Sequence, residues 1–222
     1  MLLKKIILLV LVILFYRILV HAQEKLPFWK EVHEFKQQDS VNFPAANQVL
    51  FIGSSSFTNW KDFQDYFPSH LILNRAFGGS SLTDLILYRY DILYAYQPKQ
   101  ILIYCGENDF AASDTISVET VVNRFKVLFE LIRSKYKNIP VAYVSMKPSP
   151  SRALLMPKFA AANRQIKNYL IQKRKTTFID VYSKMLNADG TPISAIFLED
   201  KLHINAKGYD IWKKEIKKVL IK

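Results

Sequence analysis

Val49-Leu50-Phe51-Ile52-Gly53-Ser54-Ser55-Ser56 is a run of four apolar residues that stops on a glycine and three serines. Apolarity without alternation suits a strand buried on both faces, as parallel strands are. The same pattern recurs at Leu71–Leu73, Ile101–Cys105, Val141–Ser145 and Thr177–Val181. Between these runs lie longer segments with apolar residues about one helical turn apart: 82–96, 118–136, 157–173 and 206–221. A further helix, over 24–38, precedes the first run and carries Trp29, Val32 and Phe35. Strands alternating with helices predict a doubly wound α/β sheet, whose functional sites gather at the carboxyl ends of the strands.

Length and composition bound the rest. The chain has 222 residues, half of them hydrophobic and 23% charged. That suffices for one sizeable core over residues 23–222 and leaves little room for a second domain. Lys and Arg outnumber Asp and Glu by 31 to 19, a net charge of +12. A basic balance invites a nucleic-acid reading, but the excess is dispersed. Its densest cluster, Lys213, Lys214, Lys217 and Lys218, reads as the solvated face of the last helix. We therefore expect no nucleic-acid partner, while attraction to anionic lipid or polysaccharide stays open.

The first 22 residues read as a signal peptide. Lys4 and Lys5 precede an unbroken apolar run from Ile6 to Tyr16, which Ile18-Leu19-Val20 extends past Arg17. Val20-His21-Ala22 offers acceptable residues for cleavage before Gln23. The run is shorter than the ~20 residues of a comfortable spanning helix. A secreted or periplasmic product is expected; the alternative is an uncleaved anchor through residues 4–20 with the remainder facing outward. Cys105 is the only cysteine, so no internal disulfide forms. It reads as a small buried hydrophobe, with a catalytic thiol as the rival.

Four punctuated stretches carry candidate chemistry. Gly53-Ser54-Ser55-Ser56 is a strand-to-helix turn: a serine there can expose its hydroxyl at a helix N-terminus, or simply cap the helix. It lacks the pattern of a phosphate-binding P-loop and, with Phe57 two residues after Ser55, that of a Gly-x-Ser-x-Gly elbow. Gly78-Gly79 permits close backbone approach to a ligand, or merely a tight loop. In Gly106-Glu107-Asn108-Asp109, Asn108 offers an amide donor or a turn, and the flanking carboxylates position it. Asp200-Lys201-Leu202-His203 places a carboxylate three residues before an imidazole, close enough to fix its tautomer. The chain has four histidines and no clustered ligand spacing, so neither metal nor cofactor is expected. Lys147-Pro148-Ser149-Pro150-Ser151-Arg152 follows the fourth strand and is expected to rim the pocket, with Lys147 or Arg152 meeting an anionic substrate or only solvent.

Taken in order, the four stretches resemble the SGNH/GDSL hydrolase superfamily, in particular secreted bacterial esterases distantly similar to platelet-activating-factor acetylhydrolases. The resemblance runs from about Val49 to the C-terminal helix. It implies a three-layer α/β/α sandwich around a flavodoxin-like, five-stranded parallel sheet. It further implies a nucleophile at Ser55, an oxyanion hole from Ser55, Gly79 and Asn108, and an Asp200–His203 pair completing the triad. The sequence departs from the family name in carrying Ser54 for Asp and Ser56 for Leu. Three adjacent serines and two adjacent glycines also leave Ser55 and Gly79 dependent on alignment. The expected activity is cleavage of a carboxylic ester with a short acyl group such as acetyl, on an acetylated glycan, cell-wall polymer or lipid. The alternative is a non-catalytic glycan- or surface-binding protein on the same scaffold.

Overall fold

All five apolar runs are strands. The computed structural model describes residues 4–12 and 26–221. In chain order the elements are α1 (Trp29–Val41), β1 (Val49–Gly53), α2 (Ser55–Thr58), α3 (Phe63–Tyr66), β2 (Ile72–Asn74), α4 (Leu82–Leu87), α5 (Arg89–Ile92), β3 (Gln100–Tyr104), α6 (Glu107–Ala111), α7 (Val118–Lys135), β4 (Val141–Val144), α8 (Met156–Ile171), β5 (Thr176–Ile179) and α9 (Ala206–Lys217). The sheet order is β2-β1-β3-β4-β5 and every pairing is parallel. This is the doubly wound α/β sandwich that the alternation implies.

Side chains alternate across each strand, so one strand feeds two cores. Leu50 and Ile52 of β1, with Ile101 and Ile103 of β3, pack against the helices Leu82–Leu87, Val118–Lys135 and Met156–Ile171. Val49, Phe51, Leu102 and Tyr104 face the other way, onto Phe57, Trp60, Trp212 and Ile216. The α9 stripe read from sequence lies here: Trp212 and Ile216 are fully buried, and Ile211, Val219 and Leu220 pack beside them. The N-terminal helix α1 is held by charge as well as apolar contact. Asp39 pairs with Arg75, which also donates to the Tyr96 hydroxyl at 2.7 Å.

Two sequence expectations differ in detail. The single helix over 82–96 is interrupted at Tyr88, which leaves the helical region (φ −89°, ψ 12°) and separates α4 from α5. The Tyr88 hydroxyl donates to the Pro27 carbonyl at 2.6 Å, so the break coincides with the place where the N-terminal segment docks. The edge strands β2 and β5 are not buried on both faces, and only Ile72 and Ile179 within them are buried. Residues 4–12 are helical and exposed, whereas Val20-His21-Ala22 lies outside the described residues. No described helix is long and apolar enough to cross a membrane.

Candidate active site

In an open parallel sheet, adjacent strands whose connections leave toward opposite sides open a crevice at their carboxyl ends. Here that switch falls between β1 and β3. β1 ends on Gly53, and the chain turns straight into α2; β3 ends on Tyr104, followed by Cys105-Gly106 and α6. A narrow cleft lies there, lined by Ser54, Ser55, Glu107, Asn108, Arg152 and Leu202 among others. Gly53 is required by the approach of the two strands. Its φ is +145°, and a Cβ would stand 1.9 Å from the Tyr104 carbonyl oxygen.

The three serines separate by environment. Ser56 is buried, and its carbonyl accepts from the Tyr209 hydroxyl at 2.9 Å. Ser54 is the N-cap residue of α2, and its hydroxyl accepts from the Asn108 amide nitrogen at 2.7 Å. Ser55 begins the helix, is half-buried and lines the cleft. Among the described residues, neither the Ser55 nor the Gly79 amide donates to a protein acceptor. Gly79, not Gly78, takes the left-handed backbone (φ +82°), with the Phe28 ring 3.5 Å from where its Cβ would lie.

Ser80, next in the chain, ties three stretches together and was not singled out by the sequence reading. Its hydroxyl donates to the Gly53 carbonyl at 3.0 Å, and its own carbonyl accepts from Asn108 Nδ2 at 3.0 Å. The carboxylates beside Asn108 divide the work of holding it. Asp109 accepts from the Leu82 amide and from Arg124, each at 2.9 Å, fixing the start of α4. Burial nevertheless raises its pKa above the usual carboxylate range. Glu107 accepts from the Tyr104 hydroxyl, the Lys147 amide (2.8 Å) and the Lys147 ammonium (3.1 Å).

Lys147 is therefore not a rim residue. It is 2% exposed and neutralises Glu107 inside the protein, because two charges leave water together only when paired. Arg152 does reach the cleft, and its guanidinium donates to Asn108 Oδ1 at 2.8 Å. Cys105 borders the cleft but is buried. Burial and then Asp109 push its thiol well above its ordinary pKa, so it supplies no thiolate.

Asp200 and His203 meet within their own loop. Asp200 Oδ1 accepts from the Leu202 and His203 amides, each at 2.9 Å, while Oδ2 lies 2.5 Å from His203 Nδ1. Burial opposes the Asp200 charge. The His203 hydrogen bond, the two amides and the nearby ring outweigh it and lower the carboxyl to about 2. An ionised carboxylate only accepts, so Nδ1 carries the hydrogen and Nε2 is left as the basic nitrogen. The Ser151 amide donates to the Lys201 carbonyl at 3.1 Å and joins this loop to the one bearing Arg152. Leu202 thereby faces the same cleft as Ser55.

The cleft holds a hydroxyl at a helix start and the Asn108 amide, and the neighbouring loop holds an oriented imidazole; these are parts that acyl transfer uses. The profile of the GDSL-like Lipase/Acylhydrolase family matches residues 49–211. No curated protein matches the chain. Among solved structures, a Streptococcus pneumonia protein is 20% identical with a TM-score of 0.75, over 96% of this chain and 99% of the other. A GDSL-like lipase from Bacteroides thetaiotaomicron is 20% identical with a TM-score of 0.73, over 84% and 95%. A variant of an acetyl xylan esterase from Geobacillus stearothermophilus is 13% identical with a TM-score of 0.62, over 80% and 98%. At these identities the likeness to the solved structures is one of fold.

Proposed function

Since the chain belongs to the GDSL-like lipase/acylhydrolase family, we propose that it is a serine esterase cleaving carboxylic esters of short acyl groups through Ser55, His203 and Asp200. The observation that carries the reading is the Asp200–His203 pair, held with Nδ1 on the carboxylate, in a loop whose Leu202 lines the same cleft as Ser55.

His203 Nε2 takes the proton from Ser55 Oγ as the oxygen bonds to the ester carbonyl carbon. The carbonyl oxygen becomes an oxyanion held by the Ser55 and Gly79 amides and Asn108 Nδ2. His203 returns the proton to the departing alcohol as the C–O bond breaks, leaving an acyl-Ser55. Water, deprotonated by His203, then releases the acid and restores Ser55. We further propose export through the N-terminal segment, with an acetylated glycan, wall polymer or lipid as substrate.

The test is hydrolysis of p-nitrophenyl acetate and octanoate by the protein and by Ser55→Ala. Loss of activity in the variant with a high acetate-to-octanoate ratio is expected. Equal rates for the two proteins would remove Ser55 as nucleophile. Octanoate preference would overturn the short-acyl assignment. Inactivity of both, without fluorophosphonate labelling of Ser55, would favour the binding-protein alternative.

A further inference from the structure

An asparagine used as an oxyanion donor has a problem that a backbone amide lacks. Its side chain is nearly symmetric in shape, and a half-turn presents a carbonyl oxygen where the N–H should be. At Asn108 two neighbours leave no ambiguity. A guanidinium can only donate, and Arg152 donates to Oδ1 at 2.8 Å. A backbone carbonyl can only accept, and Ser80 accepts from Nδ2 at 3.0 Å. The Ser54 hydroxyl, 2.7 Å from Nδ2, could serve either orientation.

Arg152 is itself held in place. Its second terminal nitrogen lies 3.6 Å from Glu107 Oε2, the oxygen that also accepts from Lys147. Glu107 and Lys147 are both almost fully buried, whereas Arg152 comes from the kinked 3-10 turn Pro150–Leu155 after β4. Lys147 offsets the Glu107 charge, so the guanidinium contributes a net positive charge beside Asn108. That charge draws electron density toward Oδ1 and makes the Nδ2 hydrogens better donors. One of those hydrogens goes to the fixed Ser80 carbonyl and the other to the rotatable Ser54 hydroxyl, which can yield it to a developing oxyanion.

Building on the esterase reading above, we propose that Arg152 is a positioning residue of the reaction: it holds the Asn108 carbonyl so that the amide N–H faces the oxyanion, and Glu107 with Lys147 sets its own place.

The test compares Arg152→Met, Asn108→Ala and the double variant on p-nitrophenyl acetate, beside the unaltered protein and Ser55→Ala. Losing one oxyanion donor outright costs about 10²–10³ in turnover; losing only its orientation should lower kcat about 10- to 100-fold and leave KM within about twofold. The double variant should be no slower than Asn108→Ala alone, because Arg152 acts through that amide. Arg152→Lys, which keeps the charge and a donor, should recover part of the rate. An unchanged kcat in Arg152→Met, a loss confined to KM, or losses that multiply in the double variant would each overturn the proposal. If Arg152→Met loses cooperative unfolding, Arg152→Leu with and without Asn108→Ala is judged by the same criteria. Ser55→Ala as active as the unaltered protein would instead remove the esterase reading, and this proposal with it.

Discussion

Asp200 shows how much one side chain settles. Its two oxygens do separate jobs, one taking backbone amides and the other the imidazole. Asp200→Asn keeps the shape but can offer an N–H to Nδ1, so the ring adopts the wrong tautomer. A loss of turnover on the order of 10⁴ is expected in steady-state kinetics, as for the equivalent change in serine proteases. The carboxyl titrates at about 2, below its ordinary value. Its small contribution to stability is therefore fully present above the usual ~3.9. It is lost only as pH falls through about 2. The triad and oxyanion candidates were legible as residues because each follows a strand or precedes the last helix. Their partners were not. Lys147 read as a rim cation and is instead buried against Glu107, a contact across forty residues of chain. Ser80 directly follows Gly78-Gly79, yet nothing in the sequence marks it as the link between Gly53 and Asn108.

Among the elements, α2 and α9 need each other. Helix α2 spans only Ser55–Thr58, too short to hold itself. Phe57 packs edge-on to Trp212 of α9, with ring centroids 5.9 Å apart, and Trp60 packs on Tyr209 at 4.6 Å. The helix that begins at Ser55 thus rests on the helix that follows His203. Trp212 is fully buried, and Trp212→Ala is expected to destabilise the protein by about 3–5 kcal/mol in urea unfolding. Residual activity of that variant should fall through Ser55 placement rather than through loss of any polar group. Long helices 118–136 and 157–173 were legible to within a residue or two, since their apolar spacing is sustained over several turns. The break at Tyr88 was not, because the contact that accompanies it is made with Pro27, far away in the chain.

At the scale of the whole molecule, the N-terminal segment meets the candidate site at Phe28, whose ring lies beside Gly79. Export predicts a mature protein beginning at Gln23, which leaves Phe28 and α1 in place; N-terminal sequencing of the secreted product checks it. A product retaining Met1 in the membrane fraction would support the anchor instead. The sequence by itself determined the fold class and the candidates for the chemistry. Strand burial, helix periodicity and glycine-serine turns are local properties, written in residues that lie next to one another. Only the tertiary structure decided which serine is buried away from the cleft, which glycine bends, which cation is buried and which one meets Asn108. Those outcomes depend on distances between segments tens of residues apart, set by the packing of β1 against β3 and by the Ser151–Lys201 hydrogen bond that joins the two loops.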